Sequence, residues 1–258
     1  MNNRLTTLKL SKKARACIEK LEREIGDYKV LIQGYQGWEG ALTTLDHKNK
    51  KVIIEINEKM YKNEPEEEIN STIAHETTHE ILSFKKGHYR LTVIKFKEAI
   101  GRIETMIEDI VVNKIIYEKN YRPFVAQYLD DVKKREIEVL LEGKDAYEEF
   151  NQDLIYKNVF MVARYIQAWG YLLKYFNLDE TTRETLSEFL ELFQKSCPEE
   201  YKRAKKITEI IIKNNIFKAE GYNKTICECL KIWDFINFVY FYFMFKNKDG
   251  KFERRFIH

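Results

Sequence analysis

Proline, glycine and cysteine are scarce in this chain: 3, 10 and 4 among 258 residues. Few prolines and glycines leave little of the turn chemistry that a many-hairpin β domain needs, so most of the chain is expected to be helical. Cys17, Cys197, Cys227 and Cys229 are too few for a disulfide scaffold, and Cys227 and Cys229 lie too close in sequence to pair comfortably. The sequence therefore reads as a reduced, cytoplasmic chain. Its first residues, MNNRLTTLKLSKKARACIEK, hold no apolar core of a secretory signal, which agrees with that expectation. An excess of one charge is lacking too. Lys+Arg total 44 against 41 Asp+Glu, a formal net charge of +3, which gives no electrostatic reason to expect a nucleic-acid partner. No apolar run reaches the roughly 20 residues that span a bilayer. The most apolar stretch, IWDFINFVYFYFMF at 232–245, carries Asp234 and Asn237 and reads as a buried or partner-facing helix rather than a membrane segment.

What is present is enough for a globular chain: 44% hydrophobic and 33% charged residues exclude disorder by composition. Ser11 is placed to cap a helix whose Ala14, Cys17, Ile18, Leu21 and Ile25 recur at spacings of three and four, with Gly26 to close it. Three short strands are expected next, over 27–33, 41–45 and 51–57, the last two joined by a hairpin loop at 46–50. Between the first two lies GYQGWEG, with Gly34, Gly37 and Gly40 in seven residues, a flexible turn. Asn63 or Glu64 can then cap a helix with Pro65 in its first turn, followed by Glu66, Glu67 and Glu68 at the positive end of its dipole. That helix is expected to run to about Lys86, and a second from about Thr92 to Tyr117, with a break at Pro123. No further strand is expected after Pro65; residues 123–258 read as amphipathic helices.

Two of the five histidines fall in His75-Glu76-Thr77-Thr78-His79. Histidines at i and i+4 of a helix stand one turn apart on one face, so both imidazoles can reach one metal ion. A glutamate after the first histidine lies near the open coordination position. It can take a proton from an attacking water and later give it to a leaving amine. Such a site needs a third protein ligand. The metzincin pattern would place a histidine six residues after the motif, but position 85 is Lys. His88, in the turn that follows, suits substrate contact better than metal ligation.

The second long helix supplies carboxylates instead. On a helical wheel Glu104 and Glu108 share a face with Ile100, Ile107, Val111 and Ile115, where two carboxylates are costly to bury unless a cation compensates them. Zinc would do so. Asp109 points elsewhere, towards Arg102 and Thr105, and suits a role orienting a ligand histidine.

A backing helix, three strands, an H-E-x-x-H helix and a following glutamate helix resemble the gluzincin branch of the zincin metallopeptidases, and the compact form is similar to the small enzymes called minigluzincins. The resemblance covers about residues 11–120. It implies an α+β fold, with a zincin-like core over 1–122 and a helical subdomain over 123–258 forming the lower part of the cleft. It implies Zn2+ held by His75, His79 and a glutamate of the second helix, with Glu76 as general base and acid. Glu108 is favoured as that third ligand, with Glu104 the alternative: Glu104 has an acidic residue four positions on, and Glu108-Asp109-Ile110-Val111-Val112-Asn113 matches an adjacent Glu-Asp pattern of related families. The resemblance further implies a peptide or protein substrate paired along the edge of the strand KVIIEIN.

The functional expectation is a zinc peptidase, either constitutive or held latent by GYQGWEG or by a helical segment. The alternative is a metal-stabilised regulatory or protein-binding module without catalysis, against which the intact Glu76 argues. Tyr117, Tyr121 and His88 are candidates to stabilise an oxyanion. The aromatic residues of the second half, among them Tyr165, Trp169 and Phe176, read as core, and Cys227-x-Cys229 lacks the partner pair of a second zinc site. The closing KFERRFIH reads as a solvated tail. Substrate preference and oligomeric state are not encoded in any motif.

Overall fold

A computed structural model of the chain describes residues 10–36, 41–57, 59, 65–121, 129 and 132–257. The fold is mixed α+β, as the sequence predicts, and the chain divides into two compact units. One comprises Met1–Arg90, Ile115–Pro123 and Tyr242–Ile257; the other comprises Leu91–Lys114 and Phe124–Phe241.

The first unit begins with α1 (Lys12–Ile25). Ser11 caps it as predicted, its hydroxyl accepting from the Ala14 amide, and Gly26 ends it at φ 64°, a left-handed value that favours glycine. Strands β1 (Lys29–Tyr35), β2 (Ala41–Asp46) and β3 (Lys51–Asn57) form a sheet in the order β1-β3-β2, with β1 parallel and β2 antiparallel to β3. Asp46 closes the β2–β3 hairpin by accepting from the backbone and side-chain amides of Asn49. The sheet order corrects one expectation. KVIIEIN is the central strand, paired on both sides, so its own hydrogen-bonding groups are used up by β1 and β2. The free edges belong to those two strands.

Helix α2 (Glu66–Phe84) follows, with Pro65 at its cap position and the three glutamates in its first turn; Asn63 and Glu64 lie outside the described residues. Polar residues line much of its buried surface. Three of the hydroxyls are satisfied locally: Thr72 donates to the Glu68 carbonyl at 3.0 Å, Thr77 to that of Ile73 at 2.7 Å and Ser83 to that of His79 at 3.0 Å. Ser11 also donates to Asn70 Oδ1 at 2.5 Å, tying the start of α1 to α2. Ile18, Leu21, Ile25, Val52, Ile54 and Ile73 make the centre of the core between these helices and the sheet.

The second unit opens at β4 (Arg90–Val93), whose Thr92 and Val93 are not the first turn of the next helix. Phe96, at φ 58°, interrupts the backbone, and α3 (Lys97–Tyr117) starts after it. A π-helical turn (Val132–Ile137) leads into the short α4 (Glu138–Leu141), followed by α5 (Leu154–Tyr171), α6 (Glu180–Ser196), α7 (Pro198–Asn214) and α8 (Ala219–Ile232). Asp153 and Asp179 cap α5 and α6. Helix α5 packs on α6 and α7, and its Arg164 is buried in an ion pair with Glu136 at 2.6 Å. The aromatic residues expected in the core divide in the structure: Phe176 is fully buried, whereas Tyr165 and Trp169 are only partly so.

The expectation of a helix over 232–245 and of an all-helical second half is corrected here. Helix α8 stops at Ile232, Asp234 takes a left-handed φ of 57°, and Val239–Lys246 forms β5. Burial alternates from Phe241 to Phe245, with Tyr242 and Met244 inward and Phe241, Phe243 and Phe245 less buried, which is what a strand produces and a helix does not. The predicted tail is β6 (Phe252–Ile257), and the order of the second sheet is β4-β5-β6. Within the first unit Phe252 packs edge-on to Phe84, ring centroids 4.9 Å apart. No described helix is long and apolar enough to cross a membrane.

Candidate metal centre

His75, Glu76 and His79 all sit on α2, and the helix repeat alone decides that the two histidines share a face. Their Nε2 atoms are 2.9 Å apart and their ring centroids 4.6 Å apart, so the two imidazoles converge on one point. His75 is 8% exposed and His79 half-buried, which limits the competition of bulk water for a bound ion. Two ring nitrogens at a common point are half of what a metal site with nitrogen and oxygen donors needs.

Glu76 is half-buried, and its Oε2 accepts a hydrogen bond from the Thr43 hydroxyl at 2.5 Å. Thr43 lies on β2, an edge strand that packs on α2. The strand's burial alternates, with Ala41, Thr43 and Leu45 facing inward, so a hydroxyl stands in an otherwise apolar row. Sequence reasoning did not single out Thr43. That alternation was the signal for it.

On α3 the three predicted carboxylates differ. Glu108 is 5% exposed, while Glu104 and Asp109 are half-buried. Within its own unit Asp109 accepts from the Gln167 side-chain amide at 3.0 Å, and Asn113, one turn on, donates to the Tyr171 hydroxyl at 3.2 Å. Among the described residues, His75, His79 and Asp109 make up a group that could hold a metal ion. Glu108 and Glu104, which the sequence favours as third ligands, are not in that group.

Of the remaining candidates, His88 is buried and Tyr117 half-buried. The hydroxyl of Tyr121 is paired with Cys17 Sγ at 2.9 Å, on α1. Gly37 and Gly40 of the GYQGWEG turn lie outside the described residues. All four cysteines are free thiols, and burial pushes Cys197 up to about 12 and raises Cys227 and Cys229 as well, away from the thiolate form that metals take.

Comparison with protein families, with curated proteins and with solved structures finds no match to this chain. The functional reading therefore rests on the chemistry of these side chains.

Proposed function

We propose that the chain is a zinc-dependent metallopeptidase in which His75, His79 and a carboxylate of α3 hold the ion. The observation that carries the reading is the pair of imidazoles with Nε2 atoms 2.9 Å apart, next to a glutamate that is itself oriented by a hydroxyl. Asp109 is our choice of third ligand ahead of Glu108 and Glu104, because it belongs to the metal-capable group. The Gln167 amide on its Oδ2 is the kind of outer hydrogen bond that orients a ligand carboxylate.

Zinc bound by these residues supplies Lewis-acid polarisation of a carbonyl and makes water acidic enough to deprotonate near neutral pH. Glu76 then acts as general base, accepting the proton of the attacking water, and as general acid, passing it to the leaving amine. The Thr43 hydrogen bond holds one oxygen of Glu76 in a single orientation, so the other is presented to the water without a search over rotamers. An extended peptide pairs with the free edge of β2, the strand that carries Thr43, and main-chain hydrogen bonds hold it there.

The test is metal content and turnover of an unstructured protein such as casein, for the wild type and Glu76→Gln. Both proteins should carry zinc. Hydrolysis should fall by about a hundredfold or more in the variant, the scale of a lost general base. Equal hydrolysis by the two would end the proposal.

A further inference from the structure

A cavity lies against α2, within the first unit. It holds about 290 Å3 and is lined by charged residues from three elements: Lys20 and Glu24 of α1, Lys85 at the end of α2, and Lys119 just past α3. Three ammonium groups face one carboxylate. Among the described residues, none of the three lysines is in a salt bridge. The floor is different in kind. Leu82 and Phe84 are 4% and 5% exposed, and Ile115 is half-buried beside them.

We propose that this cavity binds a small amphiphilic anion, its carboxylate head between Lys20 and Lys119 and its apolar body on Leu82, Phe84 and Ile115. Like charges in contact raise the free energy of the unliganded site, and an anion placed between them turns repulsion into two charge-assisted hydrogen bonds. Partial loss of water is the largest cause that lowers Lys119, although the residue is exposed, and the hydrogen-bonded Lys20 ammonium comes next; together they push it down to about 8, while Cys17 and Glu118 pull the other way by less. The volume lies just under the roughly 300 Å3 at which ordinary ligand pockets begin, so the fit is to a short chain rather than a large cofactor. Glu24 sets a limit on the head. One negative charge is welcome, whereas a multiply charged group would meet this carboxylate.

The site is separate from the peptidase reading and stands or falls without it. Thr78, next to His79, contributes to the wall, so an occupant would touch the helix that bears the histidines. Calorimetric titration of octanoate into the full-length protein should show saturable one-to-one binding. Lys20→Gln and Lys119→Gln should each weaken it about tenfold, the loss of one charged hydrogen bond, while Lys224→Gln, at an exposed position of α8, should not. Two control ligands test the two halves of the claim. Octan-1-ol and inorganic phosphate should both bind more weakly than octanoate; equal affinity of either would overturn the proposal, as would no binding or equal binding by all three variants.

Discussion

The Thr43 hydroxyl, 2.5 Å from Glu76 Oε2, makes the catalytic role proposed for Glu76 depend on a neighbour far away in sequence. A glutamate side chain has three rotatable bonds, and only a fraction of its rotamers would put an oxygen where an attacking water stands. A donor on an edge strand removes that freedom before substrate arrives. Thr43→Val keeps the shape of the residue and deletes the donor. It should lower kcat about tenfold and leave the zinc content unchanged. Steady-state kinetics beside metal analysis check this; an unaltered rate would mean that Thr43 only packs. The pentapeptide at 75–79 could be read directly because its spacing matches the helix repeat, and the repeat is a local property. Thr43 could not, because nothing local records which strand ends beside which helix.

At the scale of elements, the helices were the most legible. Ser11 and Gly26 mark both ends of α1, and Asp179 caps α6, through hydrogen bonds that span only a few residues. The join between α7 and α8 is a tighter case. A Cβ on Gly221 would lie 1.8 Å from the Asn214 carbonyl oxygen and 2.4 Å from that of Asn215, both backbone atoms that cannot swing away. Gly221→Ala should therefore destabilise the protein by about 3 kcal/mol, at the severe end of overpacking. Urea unfolding should show a lower midpoint with little change in slope. The strands were misread where the sequence is most apolar. Residues 240–245 are aromatic at five of six positions, so neither a period of 3.6 nor one of 2 stands out; the choice was made by which of them found a core.

At the scale of the molecule, residues from early and late in the chain meet in the first unit. His47, on the β2–β3 hairpin, is hydrogen-bonded through Nδ1 to the Tyr28 hydroxyl at 3.1 Å and through Nε2 to the Tyr242 hydroxyl at 3.0 Å. Burial, followed by the positive charges of Arg254 and Arg90, lowers the imidazole from 6.5 to about 4. The unfolded chain thus binds a proton between those two values that the folded chain refuses. Stability from this residue is fully present above pH 6.5 and is lost as pH falls towards 4. The loss is on the order of 2–3 kcal/mol. His47→Gln should flatten the dependence of Tm on pH in that window, which thermal melts of both proteins from pH 4 to pH 7.5 would register; parallel curves would exclude the role.

Composition and periodicity were enough for the α+β class, the positions of α1 and α2, the three strands of the first sheet and the convergence of His75 and His79. Each of these depends on residues within a turn or two of one another, where backbone geometry is set by hard-sphere contacts and nearby hydrogen bonds. Sheet order, the strand character of 239–246 and 252–257, the hydroxyl on Glu76 and the lysines around the cavity beside α2 depend on residues brought together from distant parts of the chain. Their arrangement follows from which apolar faces bury one another, and burial is decided by the folded whole rather than by any stretch of sequence.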